Sequence, residues 1–220
     1  IFHYPNFFNK LNIRDEIMAS QQLRSRSNWQ TLSGQRALGV EKLFCIGLQQ
    51  ALDSVYPNQF QVDPHPKDFT NIYSDFDLSE EILNEIYNPD ISNKKWGIKM
   101  DFAIRNNETG KTLYGEIKRQ DGWVENTKPS AGRGNAHERS AKYFTPGLQR
   151  ILREKSRIQS ETILPFWLIL VGDITRDPKR NREIAFWFQG YENNFYMWRD
   201  TNNLGDLLDF FENNLLPHLL

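Results

Sequence analysis

The sequence predicts an α/β fold, a mixed central sheet flanked by helices, from three observations. The run "ILPFWLILVGD" at 163–173 is continuously apolar, as a strand buried on both faces must be. Before and after it, apolar residues recur at helical rather than alternating spacing. Between them, "DFAIR" and "TLYGEIK" are strand-like runs joined by "NNETGK", whose Asn and Gly are turn formers.

In chain order, a long helix is expected from Gly34 to Val55. Phe44, Leu48, Leu52 and Val55 form its apolar stripe, with Ala37, Leu38 and Ala51 nearby. "DLSEEILNEIY" (77–87) predicts a helix capped by Asp77, with Glu80 placed to complete the cap. The hairpin follows, and "FTPGLQRILREK" restores helical spacing from about Thr145. After the apolar strand, "EIAFWF" and "NFYMW" predict two further strands, and "LGDLLDFFENNLL" a final amphipathic helix. Trp167, Phe186, Trp187, Phe188, Tyr196 and Trp198 fall in these strand-like runs and read as core. "DITRDPKRNRE" (173–183) reads as a turn-rich basic loop, either solvated or touching a polyanion.

Composition limits the function classes. With 39% hydrophobic and 25% charged residues in 220, one soluble globular domain is expected. No run approaches the roughly 18–20 apolar residues of a membrane span. The opening "IFHYPNFFNKLNIRDE" lacks the marks of a signal peptide. The single cysteine, Cys45, excludes an intrachain disulfide and a Cys-rich zinc site. A cytoplasmic setting is the expectation. The net charge of −1 hides an uneven distribution: residues 94–157 carry fifteen Lys and Arg against seven Asp and Glu, while both flanks are acidic. A basic middle between acidic flanks suits a polyanion, provided the charges share one face.

The hairpin carries the chemistry. Antiparallel pairing outward from a turn centred between Glu108 and Thr109 sets Asp101 opposite Glu116. Directly opposed Cβ atoms lie about 4.5–5.5 Å apart, close enough for both carboxylates to hold one ion. Lys118, two residues beyond Glu116, projects from the same face. Oxygen ligands without Cys or a nearby His pair favour Mg²⁺ over zinc. On spacing alone, a plain surface salt bridge among Asp101, Glu116 and Lys118 is an equal reading. The segment "SAGRGNAHERS" (130–140) follows within about 20 residues, polar, Gly-rich and basic, and strengthens the metal-site reading.

These residues carry a resemblance. Asp101 with Glu116-Ile117-Lys118 resembles the active-site pattern of the PD-(D/E)XK nucleases. The blocks "GEIKRQDGWV", "PSAGRGNAHERS", "FTPGL", "GDITRDPKR" and "MWR" resemble the MunI-like type II restriction endonucleases of the EcoRI-related branch. The likeness is dense from Trp96 to Arg199, extends weakly to "NWQ" at 28–30, and leaves residues 1–27 unmatched.

The resemblance implies a single restriction-endonuclease domain over 1–220, with 1–27 a peripheral N-terminal extension. It implies a homodimer cutting the palindrome CAATTG in double-stranded DNA with Mg²⁺ and leaving four-base 5′ overhangs. A DNA methyltransferase in the same host would protect its own sites. By the same resemblance, Asp101 and Glu116 are metal ligands and Lys118 the third catalytic residue. The family's Pro before the Asp is replaced by Met100, which costs no ligand. Some relatives add an acidic residue from an earlier helix; Glu41 is a candidate, but it reads more simply as a solvent-facing helix carboxylate.

The resemblance of "GNAHERS" to the AATT-reading stretch of the EcoRI branch implies that Asn135 and Ala136, with the backbone of Gly134, approach adenine edges, where an Asn amide matches N6 and N7. Glu138 and Arg139 complete the inner contacts or cross to the partner subunit. By the same resemblance Arg133 reads the outer pair as a bidentate partner of guanine, with a phosphate contact as the alternative. His137 has no nucleophile around it and reads as a packing residue. Two other readings stay open: the same core with another outer pair such as GAATTC, and a protein that binds AATT without cutting.

Overall fold

The structure is a computed structural model that describes residues 39–87, 95–121 and 137–220. Val40–Leu220 forms one compact unit. Its centre is a five-stranded sheet in the order β1-β2-β3-β4-β5: β1 Phe60–Pro64, β2 Phe102–Asn106, β3 Thr112–Arg119, β4 Phe166–Val171 and β5 Phe195–Trp198. β1, β2 and β3 pair antiparallel, and β3, β4 and β5 parallel, which makes the sheet mixed as expected.

β4 explains the continuous apolar run. Its Trp167, Ile169 and Val171 join one buried cluster, while Phe166, Leu168 and Leu170 join another on the opposite face. Helix α1, described over residues 39–55, supplies Val40, Phe44, Leu48 and Leu52 to the first cluster. Helix α5 (Gly205–Asn214) adds Leu207 and Phe211 to it. Helix α3 (Pro146–Ser156) covers the other face through Leu148 and Leu152, and helix α4 (Pro178–Trp187) through Ile184. The result is three layers, helix on sheet on helix.

The hairpin keeps its expected register. Phe102 pairs with Gly115 and Ala103 with Tyr114, so the same pairing carried one step out sets Asp101 against Glu116. The turn is fixed by Asn106, whose Oδ1 accepts from the Glu108 N–H at 2.8 Å and the Thr109 N–H at 3.2 Å. Gly110 closes it at φ +68°, a conformation that glycine adopts without steric cost. Gly115 is required for a different reason. A Cβ there would lie 1.9 Å from Cζ of Phe102, the residue facing it across the ladder.

Three elements depart from expectation. Helix α2 spans only Glu80–Glu85, and its cap is Ser79, whose Oγ accepts from the Ile82 N–H at 3.4 Å, rather than Asp77. "EIAFWF" is not a strand but the end of α4. The Asp177–Pro178 pair starts that helix: the Asp177 side chain accepts from the Lys179 N–H at 3.1 Å and Pro178 occupies the first turn. The stretch 173–183 is therefore a 3-10 turn (Asp173–Arg176) running into a helix, not a loop. Of the aromatics read as core, Trp167, Phe188 and Trp198 are buried, but Phe186 is 74% exposed on α4. The expected helix start at 34–38 lies outside the described residues.

Candidate active site

At the open end of the β2–β3 hairpin three ionisable side chains converge. Asp101 immediately precedes β2, where its N–H donates to the Gly115 carbonyl at 3.0 Å. Glu116 and Lys118 project from β3 on the face that also carries Tyr114. Asp101 Oδ2 accepts from the Ile117 N–H at 2.7 Å and from Lys118 Nζ at 3.2 Å. The same ammonium donates to Glu116 Oε2, while the Tyr143 hydroxyl donates to Glu116 Oε1. The Glu116 side chain is 3% exposed, against 18% for Asp101 and 23% for Lys118. Each oxygen of this deeply buried carboxylate has its own donor, as a buried polar group requires.

This arrangement fits a divalent cation. Two carboxylate oxygens from separate residues already converge on a single positive group, and oxygen donors of this kind suit a hard cation.

Helix α1 adds to the cluster, which corrects the solvent-facing reading of Glu41. Its side chain is 16% exposed, and its Oε2 lies 4.0 Å from His65 Nε2. Glu41, His65 and Asp101 each offer one ligand atom, and these atoms lie within 4.8 Å of one another. Burial raises the Glu41 carboxyl above its ordinary range, and the Asp101 charge adds to this; His65 and Lys118 pull against them. His65 escaped the sequence reading because β1 did. It follows Pro64 at the end of that strand, and its N–H donates to the Asp101 carbonyl at 3.0 Å.

The 3-10 helix Glu138–Phe144 borders the site. Of the expected DNA-reading residues, Arg133, Gly134, Asn135 and Ala136 lie outside the described residues. Glu138 and Arg139 are exposed at the start of the helix. His137, just before them, is buried as a packing residue should be, stacked on Trp187 with ring centroids 5.6 Å apart. Its Nε2 lies 3.2 Å from Glu183 Oε2, which also accepts from Arg180 at 2.7 Å. Burial, then the Arg180 charge, holds the His137 imidazole below its ordinary pKa.

At the other end of the helix Lys142 and Tyr143 turn toward the hairpin. Partial burial and then the neighbouring Lys118 charge lower the Lys142 ammonium, so two cationic groups stand beside the carboxylates. Burial, then the Asp101 charge, raises the Tyr143 phenol and keeps it a donor. Sequence reasoning missed Tyr143, because nothing in "SAKYF" distinguishes it from an ordinary core aromatic.

The chain matches the family described as "Type II restriction enzyme MunI" over residues 18–220, which reaches into the segment that the motifs leave unmatched. It is 46% identical over 205 residues to a "Type II restriction enzyme MunI" from Mycoplasma sp., covering 92% of this chain and all of that protein. A solved structure described as MunI restriction endonuclease in complex with cognate DNA superposes with a TM-score of 0.70. It is likewise 46% identical, covering 88% of this chain and 98% of the other. A two-carboxylate, one-lysine site on a mixed sheet, in a chain this similar along nearly its whole length, places the protein in the MunI family of type II restriction enzymes, which are site-specific deoxyribonucleases.

Proposed function

We propose that the protein is a Mg²⁺-dependent homodimer that cuts double-stranded DNA at C/AATTG, leaving four-base 5′ overhangs. The observation that carries this reading is the convergence of Asp101, Glu116 and Lys118 at one point. Asp101 and Glu116 would hold the ion, with Glu41 and His65 at its edge. When bound, Mg²⁺ supplies Lewis acidity, which polarises a phosphodiester and lowers the pKa of a coordinated water.

The chain's own groups do the rest. The Lys118 ammonium, held between two carboxylates, stands where it can orient the attacking water or neutralise charge building on the phosphate. Lys142 adds a second positive charge for the same phosphate. Hydrolysis breaks one P–O ester bond and makes one to the water oxygen. Arg133 reads the outer base pair, while Gly134, Asn135 and Ala136 with Glu138 and Arg139 read AATT. The solved relative is bound to cognate DNA, which supports double-stranded DNA as the ligand. A twofold dimer presents the set twice to a twofold-symmetric site.

We further take 1–220 as a single restriction-endonuclease domain with 1–27 at its periphery. It acts in the cytoplasm of a host whose own sites a methyltransferase protects. Among the described residues no helix is long and apolar enough to cross a membrane.

Digestion of a plasmid of known sequence with Mg²⁺, with an EDTA control and mapping of the fragment ends, tests activity, site and cut position together. Ends at CAATTG are expected. Ends at GAATTC would assign a different outer pair, and selective retention of AATT duplexes without cutting would make this a binding protein.

A further inference from the structure

The contact between Tyr143 and Glu116 belongs to neither the hairpin nor the reading segment, and it joins the two. We propose that Tyr143 is a positioning residue: it fixes which oxygen of Glu116 faces the cation and couples that choice to the segment that reads the DNA. This rests on the nuclease reading above.

Glu116 has two carboxylate oxygens and two donors. Tyr143 takes Oε1 and Lys118 takes Oε2, the oxygen that shares its ammonium with Asp101 Oδ2. A phenol has one proton to give, so Tyr143 can satisfy only one oxygen, and doing so leaves the other turned toward Asp101. Without the hydroxyl, the buried Oε1 lacks a donor, and the carboxylate can rotate to offer either oxygen to Lys118.

Tyr143 is itself tightly held. Its ring is fully buried against Phe166, with centroids 5.4 Å apart, and its carbonyl accepts from Gln149 Nε2 at 2.6 Å. The seven-residue 3-10 helix that carries it begins beside His137, which is pinned to α4 by Glu183 and Trp187. At about 2 Å rise per residue this helix is a strut of about 14 Å. Exposed Glu138 and Arg139 ride on one end and the Glu116 contact sits at the other. A shift of the reading end on DNA is therefore transmitted to a metal-ligand carboxylate through packed side chains.

Tyr143→Phe in the full-length protein tests this, because it removes one oxygen and keeps the ring. Mn²⁺ affinity, read by electron paramagnetic resonance without DNA, should weaken about tenfold. Single-turnover cleavage of the cognate duplex should slow by a similar factor, about tenfold. Binding of that duplex in Ca²⁺ should be unchanged. The ratio of cleavage rates between cognate and singly altered sites should fall. Phe211→Leu, a core change on the opposite face of the sheet, should lower the melting temperature and leave Mn²⁺ affinity alone. Unaltered Mn²⁺ affinity in Tyr143→Phe would overturn the proposal. So would loss of its fold, since the hydroxyl would then be structural. If the unaltered protein fails to cut DNA, the nuclease reading falls, yet the Mn²⁺ measurement still decides the role of Tyr143.

Discussion

Lys118 Nζ stands 3.2 Å from Asp101 Oδ2 and donates to Glu116 as well, so one ammonium holds together two carboxylates that would otherwise repel. In Lys118→Met that compensation disappears, while the aliphatic volume is kept. The protein should lose about 1–3 kcal/mol of stability without divalent ions, the cost of leaving buried polar groups unpaired. Mg²⁺ or Ca²⁺ should then raise the melting temperature of the variant more than that of the unaltered protein, because the ion replaces the missing charge. Equal shifts in the two proteins would show that the carboxylates do not share a cation.

Asp101→Ala removes one of the two oxygen donors and should slow cleavage by about 10³-fold, equivalent to about 4 kcal/mol of lost transition-state stabilisation. The fold should survive, since Asp101 lies at the mouth of the site and not in the core. Cleavage at the original rate in Mg²⁺ would remove Asp101 from the metal site.

Glu41→Gln separates a participant from a bystander. The carboxylate lies with His65 and Asp101 in one cluster, so its neutral isostere should raise the Mg²⁺ concentration needed for half-maximal cleavage by about tenfold. DNA binding without metal should not change. An unmoved Mg²⁺ dependence would return Glu41 to the role of a helix carboxylate that happens to be close.

How far each of these residues was legible depends on how local its constraint is. The Asp101–Glu116 pairing follows from turn chemistry and strand alternation, both written within twenty residues, and the structure has that register. Glu41 and His65 are different. Only the docking of α1 against the sheet, and a strand that occupies just five residues, bring them to Asp101. Spacing cannot show which turn of a long helix meets a sheet end. Helix α4 carries its start signal locally. Asp177–Pro178 is a helix start, but the aromatic run after it has strand propensity, and capping together with tertiary contacts outweighed that propensity. Tyr143 was illegible because a buried tyrosine is identified by its hydroxyl partner, and that partner lies 27 residues away.

Gly115→Ala probes the hairpin that presents the site. The new Cβ would fall 1.9 Å from Phe102 Cζ and 2.4 Å from its Cε2, and that ring is fully buried between Phe44 and Trp167. The ring has no free space to enter, so the change should cost about 1–3 kcal/mol. Phe102→Leu in the same chain should recover part of it, since a smaller side chain vacates the contact. Urea unfolding of the two single variants and the double variant measures the coupling. Strict additivity would show that the close approach is not what requires glycine.

His137 gives the protein a pH dependence whose sign is fixed by its surroundings. Glu183 at 3.2 Å and Glu138 at 3.9 Å favour the imidazolium, but burial and the Arg180 charge outweigh them and hold the folded-state pKa below 6.5. Well above pH 6.5 the ring is neutral in both folded and unfolded chains and contributes no slope. As pH falls through 6.5 the unfolded histidine takes up a proton that the folded one resists, so stability is lost on the acid side. His137→Gln cannot titrate. Its urea midpoint should lie below that of the unaltered protein at neutral pH, because the stack on Trp187 is gone. The gap should narrow as the pH is lowered toward about 5, where histidines charge. A gap that stays constant or widens in acid would mean that the folded protein accepts the proton as readily as the unfolded chain does. His137 would then be bound to Glu183 as a charged pair rather than stacked as a neutral ring.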